Sequence, residues 1–365
     1  MRGEKQSQVS VTCLINVETM IPVDHPIRTI KRLLNEVLAR MDAHFDEIYA
    51  ANGRPSIPPE RLLMAKVLMA LYSIRSERQF CERLQYDLLF RWFLDLNPDE
   101  TTFDHSTFSQ NQSRLLKHKV ADLFFAEVVW LAKNRGWLSD QHFSVDATLV
   151  ESWASLKSFK PKKDDHDGGR PGDGNGWADF KGEKRRNDTH SSTTDPEAKL
   201  VRKGDGREAK LAFAGHATME NRHGLCVLFE VHPAVGASEA DVAVKQIAEL
   251  QQRGITPRTV GADRGYCSRN FIEGLRGHGV VPHPAPLNDR RLLGVKVRSK
   301  AHQLSQKCRR KIEEIFGWAK TTGCFRKSRY VGVERTHAAA QYVVAACNLV
   351  RMARLSLGPP KLARA

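Results

Sequence analysis

The chain has 365 residues, enough for two domains with full cores, and its 41% hydrophobic and 27% charged residues are typical of a globular protein. It carries 57 lysines and arginines against 42 aspartates and glutamates, so the formal net charge is +15. That excess favours a polyanionic partner, of which nucleic acid is the commonest. No apolar run reaches the ~18 residues of a membrane span, and the N-terminus lacks the features of a signal peptide. We therefore expect a cytosolic protein, nucleoid-associated in a bacterium, with no membrane contact.

The seven cysteines are scattered, with no CxxC pair and no Cys/His spacing typical of zinc. In a reducing compartment such cysteines are expected to be buried thiols and not disulfides. The cysteines therefore indicate no structural metal.

The first 136 residues predict an all-α domain, which we expect to bind DNA ends or to mediate dimerisation. Apolar residues recur at helical spacing over 23–50, and further helices are predicted over 59–74 and 76–96. A fourth helix, capped by Asp104 or Ser106, carries polar residues compatible with DNA reading. The same pattern suits a plain helical bundle, and the sequence does not decide between the two.

Beyond these helices the pattern changes to strands alternating with helices, which predicts a second domain over 137–357. Asp146 lies within the strand-like run HFSVDATLVES. A carboxylate there is costly to bury unless it binds a cation or is well hydrogen-bonded, although it could also face solvent. Residues 210–234 predict a hairpin that turns at Gly224. A later strand ends at Asp263, and acids at such strand ends point into the functional crevice of α/β sheets.

Residues 157–210 are rich in Lys, Arg, Gly, Asp, Ser and Thr. This composition predicts a polar, mobile insertion that cannot build a core. Its cations could clamp DNA phosphates, or the segment could simply be a solvated loop.

One amphipathic helix is predicted over 297–323. Its apolar stripe consists of Leu304, Cys308, Ile312, Ile315 and Ala319. The opposite face carries two acids, Glu313 and Glu314, among the cations Lys307, Arg309, Arg310, Lys311 and Lys320. A metal-binding carboxylate among phosphate contacts is one interpretation of this face, and a solvated helix of mixed charge is the other.

In chain order the second half predicts three strands, a helix, a strand, a helix, a strand and a helix. Asp146 lies on the first strand, Asp263 follows the fourth, and Glu313 lies on a late helix. This order resembles the RNase H-like catalytic core, an α/β fold with a mixed five-stranded sheet and flanking helices. The strings VDATLVESWASLKSF, GADRGY and RRKIEEIFGWAKTTG are similar to those of DDE transposases of the IS5 group, within the IS4-like set. Near the N-terminus, VDHPIR and GRPSIPPERLLMAKVLMALY resemble the same group.

The resemblance implies that Asp146, Asp263 and Glu313 are the catalytic residues and the metal ligands. Carboxylates that converge on one point repel each other unless divalent cations lie between them, and their hard oxygens suit Mg²⁺ or Mn²⁺. The resemblance further implies two such ions. Gly265 and Tyr266 match the family's turn after the second acid, where turn geometry and packing explain them equally well.

The family signature also selects between the two adjacent glutamates. Its spacing Arg-x3-Glu-x6-Lys fits Arg309, Glu313 and Lys320, whereas Glu314 does not fit. The tyrosine that usually begins the signature is replaced here by Gln306, which leaves the function of that position open. We expect contacts with DNA phosphates from Lys307, Arg309, Arg310 and Lys320, because cations bind phosphate without reading sequence.

The implied activity is that of a DNA transposase. It hydrolyses phosphodiester bonds at the ends of an insertion sequence, and the freed 3′-OH then attacks target DNA. The implied partners are the terminal inverted repeats, target DNA and a second copy of the chain in a homodimer on DNA. A catalytically inactive or domesticated DNA-binding derivative is the alternative, and a plain metal-dependent nuclease is another. The presence of all three acids, Asp146, Asp263 and Glu313, in the family's order favours an active enzyme.

Overall fold

The computed structural model describes residues 16–49, 56–162, 185–202, 204, 206–236, 238–286, 294–297 and 299–357. Within these ranges, no helix has the length and the apolar character that a membrane crossing requires. Of the cysteines described, Cys81 and Cys226 are buried, while Cys267, Cys308, Cys324 and Cys347 are half-buried. The expectation of buried thiols is therefore wrong for Cys267, Cys308 and Cys324, whereas burial of the Cys347 thiol raises its pKa to about 12.

The N-terminal region is entirely helical where it is described. In chain order its helices are α1 (Val17–Met20), α2 (Pro26–Ala39), α3 (Asp42–Ile48), α4 (Pro59–Leu71), α5 (Glu77–Tyr86), α6 (Leu88–Phe93), α7 (Ser106–Lys117) and α8 (Val120–Asn134). Side-chain oxygens accept free amide hydrogens at the starts of α5 and α7, among others. Ser76 Oγ accepts the amide hydrogen of Gln79 before α5, and Asp104 Oδ1 accepts that of Ser106 before α7.

Two helices that the sequence predicts as continuous are broken. The prediction over 76–96 divides into α5 and α6 at Asp87, whose backbone is extended. The Asp87 carboxylate accepts the amide hydrogen of Phe90 at 3.2 Å and lies 2.8 Å from Arg83 Nε. These side-chain bonds replace the backbone bonds of a continuous helix. The prediction over 23–50 likewise divides into α2 and α3.

The second half is built on a mixed sheet. Its strands are β1 (His142–Glu151), β2 (Phe159–Pro161), β3 (His190–Ser192), β4 (Lys199–Val201), β5 (Lys210–Glu220), β6 (Leu225–Pro233), β7 (Thr259–Ala262) and β8 (Val281–Pro284). Its helices are α9 (Glu239–Gln252), α10 (Arg269–Gly277), α11 (Lys300–Arg309), α12 (Ile312–Lys320) and α13 (Val333–Ser356).

The pairing of these strands gives the RNase H-like order. β1 pairs antiparallel with β5 on one side and parallel with β7 on the other, and β8 extends the sheet beyond β7. β6 pairs with the far edge of β5 through the predicted hairpin, which turns at Gly224 with a φ of 74°. The fold class predicted from the sequence is thereby confirmed.

The polar segment 157–210 is more ordered than its composition predicts. β4 adds a sixth strand to the main sheet by pairing with the start of β5, and β2 and β3 form a separate pair. Asp195 is fully buried and accepts a hydrogen bond from Ser152 Oγ at 2.9 Å. The expectation of a coreless insertion is therefore wrong for its described residues, because hydrogen bonds compensate the buried polar groups. Residues 163–184, in its middle, lie outside the described residues.

The last helix joins the two halves in one apolar core. α13 packs against α2, α4 and α8 of the helical region and against β6 of the sheet. The side-chain amide of Asn348 bonds both the N–H and the C=O of Cys226, and Gln341 donates to the carbonyl of Phe229. α13 thus satisfies the open edge of β6 as a neighbouring strand would. The division into domains 1–136 and 137–357 stays a prediction, since this core spans it.

Candidate active site

Asp146 and Asp263 lie side by side at the point where β1 and β7 separate. The two strands pair in parallel as far as Ser144 and Gly261, so the residues two positions later are level with each other. Asp146 Oδ1 accepts the amide hydrogen of Ala147 at 2.8 Å. Asp263 follows the last residue of β7 and caps a one-turn helix.

The environment of Asp146 disfavours its ionised form. Its side chain is 18% exposed, and burial, followed by the charges of Asp263 and Glu239, raises its pKa to about 6. The Ala147 amide and Arg309 act in the opposite direction without cancelling this effect. The two predicted aspartates are therefore electrostatically coupled, and a cation between them would relieve their repulsion.

Two predicted phosphate-binding cations flank Asp146 along β1. Arg309 Nη1 lies 3.9 Å from Asp146 Oδ2, and the buried Nε of Arg309 has no hydrogen-bond partner among the described residues. Lys320 Nζ donates to Thr148 Oγ1 at 2.5 Å. Thr148 lies two residues after Asp146, so both side chains are on one face of the strand. Lys307 and Arg310, the other predicted DNA contacts, are exposed.

The single helix predicted over 297–323 is wrong, because the chain forms α11 and α12 with a turn at Arg310 and Lys311 between them. The turn is closed by short-range backbone bonds, from Lys311 to Cys308 and from Glu313 to Arg310. The predicted apolar stripe fails in its first half, where Leu304 is 61% exposed.

Polar side chains fix α11 instead. It lies across the carboxyl ends of β7 and β8, whose carbonyls need donors. Gln306 Nε2 donates to the carbonyl of His283 at 2.6 Å and to that of Ala262 at 3.2 Å. His302 Nε2 lies 2.9 Å from the carbonyl of Pro284. Gln306, in the family's tyrosine position, thus holds α11, the helix that carries Arg309, against the ends of β7 and β8.

Glu313 and Glu314 both lie exposed in the first turn of α12. Glu314 Oε2 is 3.9 Å from Arg351 Nη1 of α13. Among the described residues, no three His, Cys, Asp or Glu side chains are placed to hold a metal ion together. The structure therefore brings Asp146 and Asp263 together and leaves Glu313 apart from them.

The aspartate pair fits a divalent cation in two respects. Both donors are carboxylate oxygens, the ligands that Mg²⁺ and Mn²⁺ prefer. The raised pKa of Asp146 shows that its ionised form lacks compensation from the protein itself. The residues present are therefore suited to such an ion.

Sequence reasoning missed one acid near this pair. Glu239 begins α9, and its own pKa is raised by burial and by Asp263. In the sequence it is indistinguishable from an ordinary acid at a helix start. Tyr266 is buried and packs edge-on against Phe271, with ring centroids 5.5 Å apart, which supports the packing interpretation of that position.

Among solved structures, two transposase complexes are similar to this chain over most of its length. The piggyBac transposase synaptic complex with hairpin DNA has a TM-score of 0.37 and 8% identity, covering 93% of this chain and 83% of that one. The Mos1 transposase paired-end complex with left transposon end has a TM-score of 0.21 and 10% identity, covering 84% and 82%. Because both TM-scores are low, we infer nothing about the site from these similarities.

Family models identify the chain more directly. The model described as "Transposase domain (DUF772)" matches residues 15–114, and the model described as "Transposase DDE domain" matches residues 180–349. The second match contains Asp263 and Glu313 and begins after Asp146. No curated protein matches the chain. With both transposase models matched in order and a coupled aspartate pair on an RNase H-like sheet, the chain belongs to the DDE transposases of insertion sequences and acts on DNA.

Proposed function

We propose that Asp146, Asp263 and Glu313 are the three acids of this DDE transposase and hold Mg²⁺ or Mn²⁺. The observation that carries the proposal is the pair of Asp146 and Asp263, in which burial and then the charge of Asp263 raise the pKa of Asp146. The three carboxylates would hold the ions, which supply the chemistry of a two-metal site: activation of water or a 3′-OH and stabilisation of the leaving oxygen. The aspartates supply charge and fixed oxygen ligands to the place where the scissile phosphate lies.

Glu313 completes the site when the first turn of α12 moves toward the pair. It lies four residues after Arg309, on the other side of the turn between α11 and α12. Arg309 already reaches Asp146. A DNA phosphate that binds between Arg309 and the aspartates would draw this segment inward. Glu314, which is turned toward Arg351, is the weaker candidate.

The cations around the pair hold the DNA backbone. Arg309 can turn unsatisfied N–H groups toward a phosphate oxygen, since its Nε has no described partner. Lys320 lies near Thr148 on the same face of β1. Lys307 and Arg310 extend the contact on the exposed side of α11 and the following turn. Phosphate contacts of this kind position DNA without reading its sequence.

The DNA substrates are the terminal inverted repeats of the element and the target duplex, and two copies of the chain hold the paired ends. The net charge of +15 supports binding to a polyanion. We further propose that the chain belongs to the IS5 group and is cytosolic and nucleoid-associated. In this proposal the helical region within residues 1–136 recognises the element ends.

The test is strand cleavage of labelled DNA that carries the element's own ends, in Mg²⁺, Mn²⁺ or EDTA. Wild-type protein should nick at the ends only with metal. Asp146→Asn should lose about 10³-fold or more in rate and should retain DNA affinity, because phosphate contacts carry most of that affinity. Binding of the ends without cleavage by wild type would instead favour the inactive DNA-binding derivative.

A further inference from the structure

An apolar cavity lies where the helical region meets the last helix, and its lining includes neither Asp146 nor Asp263. Its volume is about 320 Å³, and it is enclosed by α4, α7, the start of α8, the segment 323–330 and α13. Its wall is mostly aliphatic and aromatic, with Leu63, Phe108 and Val343 among the buried residues. Because pockets that bind small ligands begin at about 300 Å³, this cavity has room for a small ligand.

The polar groups in the wall of the cavity are already paired with one another. Lys66 Nζ donates to Glu77 Oε1 at 2.8 Å and to Tyr330 Oη at 3.2 Å. Asp122 Oδ1 lies 2.6 Å from His337 Nε2. Since these groups satisfy each other, the interior offers a ligand mainly apolar contacts.

The opening of the cavity, in contrast, carries cations without partners. Arg75, Lys119, Arg329 and Arg335 all line the cavity and are exposed. In the part of the chain that the structure describes, none of the four takes part in an ion pair. Glu334 is the exposed acid that lines the same opening. The excess of positive charge there favours an anion.

We propose that this cavity binds an amphipathic organic anion. Its aliphatic chain lies among the apolar side chains of the wall, and its anionic head lies at the cations of the opening. A nucleobase turned out of DNA is a poorer fit, because its hydrogen-bonding edge would be buried among apolar side chains without partners. The ligand contacts both the helical region and α13, so its binding stabilises their packing. This site is independent of the proposed metal ions.

The experiment is a calorimetric titration of the full chain with decanoate. Decanol, which has the same chain length and no charge, is the comparison ligand. A single molecule of decanoate should bind per chain and raise the melting temperature. Decanol should bind about fivefold more weakly or less, because it forms no ion pair with the cations of the opening.

Two kinds of variant test the two parts of the site separately. Ala338→Leu, at a half-buried position of α13 that lines the cavity, should abolish binding of both ligands. It should not lower the melting temperature, since the larger side chain fills existing space. The double variant Arg329→Gln with Arg335→Gln should weaken decanoate binding about fivefold and leave decanol binding within about twofold of wild type. Arg354→Gln is the matched control, because it removes an exposed cation of α13 outside the cavity, and it should change neither.

Absence of decanoate binding by the wild type would overturn the proposal. Decanoate binding that Ala338→Leu leaves unchanged would also overturn it, because the ligand would then lie elsewhere. Equal affinities for decanoate and decanol would show that the cations have no part and would contradict an anionic ligand. A dimer that Ala338→Leu dissociates, together with no decanoate binding, would overturn the proposal and assign the cavity to a second copy of the chain.

Discussion

The charged cluster between α4, α5 and the segment before α13 is compensated within the protein. Lys66 Nζ donates to Glu77 Oε1 at 2.8 Å and to Tyr330 Oη at 3.2 Å, and Tyr330 Oη donates to Glu77 Oε1 at 2.7 Å. Burial alone would raise the pKa of Glu77, yet the Lys66 ammonium and the hydrogen bonds from Lys66 and Tyr330 lower it to about 2. Opposite charges here stabilise each other.

The carboxylates at the edge of the sheet have the opposite arrangement. Asp146, Asp263 and Glu239 are like charges, and Arg309 is the cation that contacts Asp146 among the described ion pairs. Burial and repulsion together raise the pKa of Asp146 to about 6. The same chain thus contains one compensated and one uncompensated cluster of charged side chains.

The difference separates a structural cluster from a functional one. The Lys66 cluster ties the helical region to the segment 326–330, which itself pairs with the end of β1 through Glu151. Its interactions are complete without any ligand. In the Asp146 cluster a cation would offset the repulsion between the carboxylates, as we expect of a site whose charge is matched by metal ions. Mutations in the two clusters should therefore have opposite signatures.

The largest expected effect is on catalysis and concerns the third acid. Glu313→Gln should slow cleavage of the element's ends about 10³-fold, because it removes a proposed metal ligand. Glu314→Gln, the adjacent control, should stay within about threefold of wild type, since exposed charge pairs contribute little. Single-turnover cleavage of labelled ends measures both. The reverse pattern would transfer the third ligand to Glu314.

The compensated cluster predicts the largest effect on folding. Lys66→Met leaves Glu77 buried without its cation and should lower the free energy of unfolding by about 3–5 kcal/mol. Arg269→Gln removes an exposed helical pair with Glu273 and should cost less than about 0.5 kcal/mol. Urea unfolding compares the two. A loss below about 1 kcal/mol for Lys66→Met would show that the cluster is not compensated as described.

The uncompensated cluster predicts a gain in stability when its charge is removed. The folded pKa of Asp146, about 6, exceeds the value near 3.9 of an unfolded aspartate. The folded state therefore binds the extra proton, and ionisation of Asp146 costs stability as pH rises from about 4 to 6. Metal-free Asp146→Asn should gain on wild type over that range, by on the order of 2–3 kcal/mol, and hold the gain above pH 6.

This gain must be measured as a difference between the two proteins at each pH. His216 and His283 have pKa values lowered to about 4, mainly by burial. Their folded states bind fewer protons than the unfolded chain, so they stabilise both proteins as pH rises and cancel in the comparison. Urea unfolding in EDTA gives the two curves. A constant gap from pH 4 to 7 would contradict the raised pKa of Asp146.

The smallest effect concerns the positioning of α11. Gln306→Ala removes the side-chain amide that donates to the carbonyls of Ala262 and His283. The free energy of unfolding should fall by about 1–2 kcal/mol. End cleavage should fall with it, because Arg309 lies one turn further along the same helix. Leu304→Ala, at a position of α11 that is 61% exposed, is the comparison. Equal effects of the two substitutions would show that Gln306 has no special part in holding α11.

Several strands, turns and site residues could be predicted from local patterns in the sequence. Alternating apolar residues around Asp146 predict β1, and turn residues around Gly224 predict the hairpin. The acids at the ends of strands, such as Asp263, follow from the rule for α/β sheets. These features depend on residues close together in sequence, so a single sequence contains the information.

The features that could not be predicted depend on contacts between distant segments. α11 buries polar side chains because it covers strand ends, so an apolar stripe is the wrong signal there. β4 lies in a polar segment and forms because β5 offers it a partner. The approach of Glu239 to Asp263 arises from the packing of α9 against the turn after β7. No local pattern reports such a distance.

The most direct test of the account is the effect of Mn²⁺ on thermal unfolding of wild type, Asp146→Asn, Asp263→Asn and Lys66→Met. A ligand that binds only the folded state raises the melting temperature. We predict that Mn²⁺ raises it for wild type and for Lys66→Met, from a lower starting value in the latter, and not for either aspartate variant. The same rise in all four proteins would contradict the claim that the aspartate pair is a cation site.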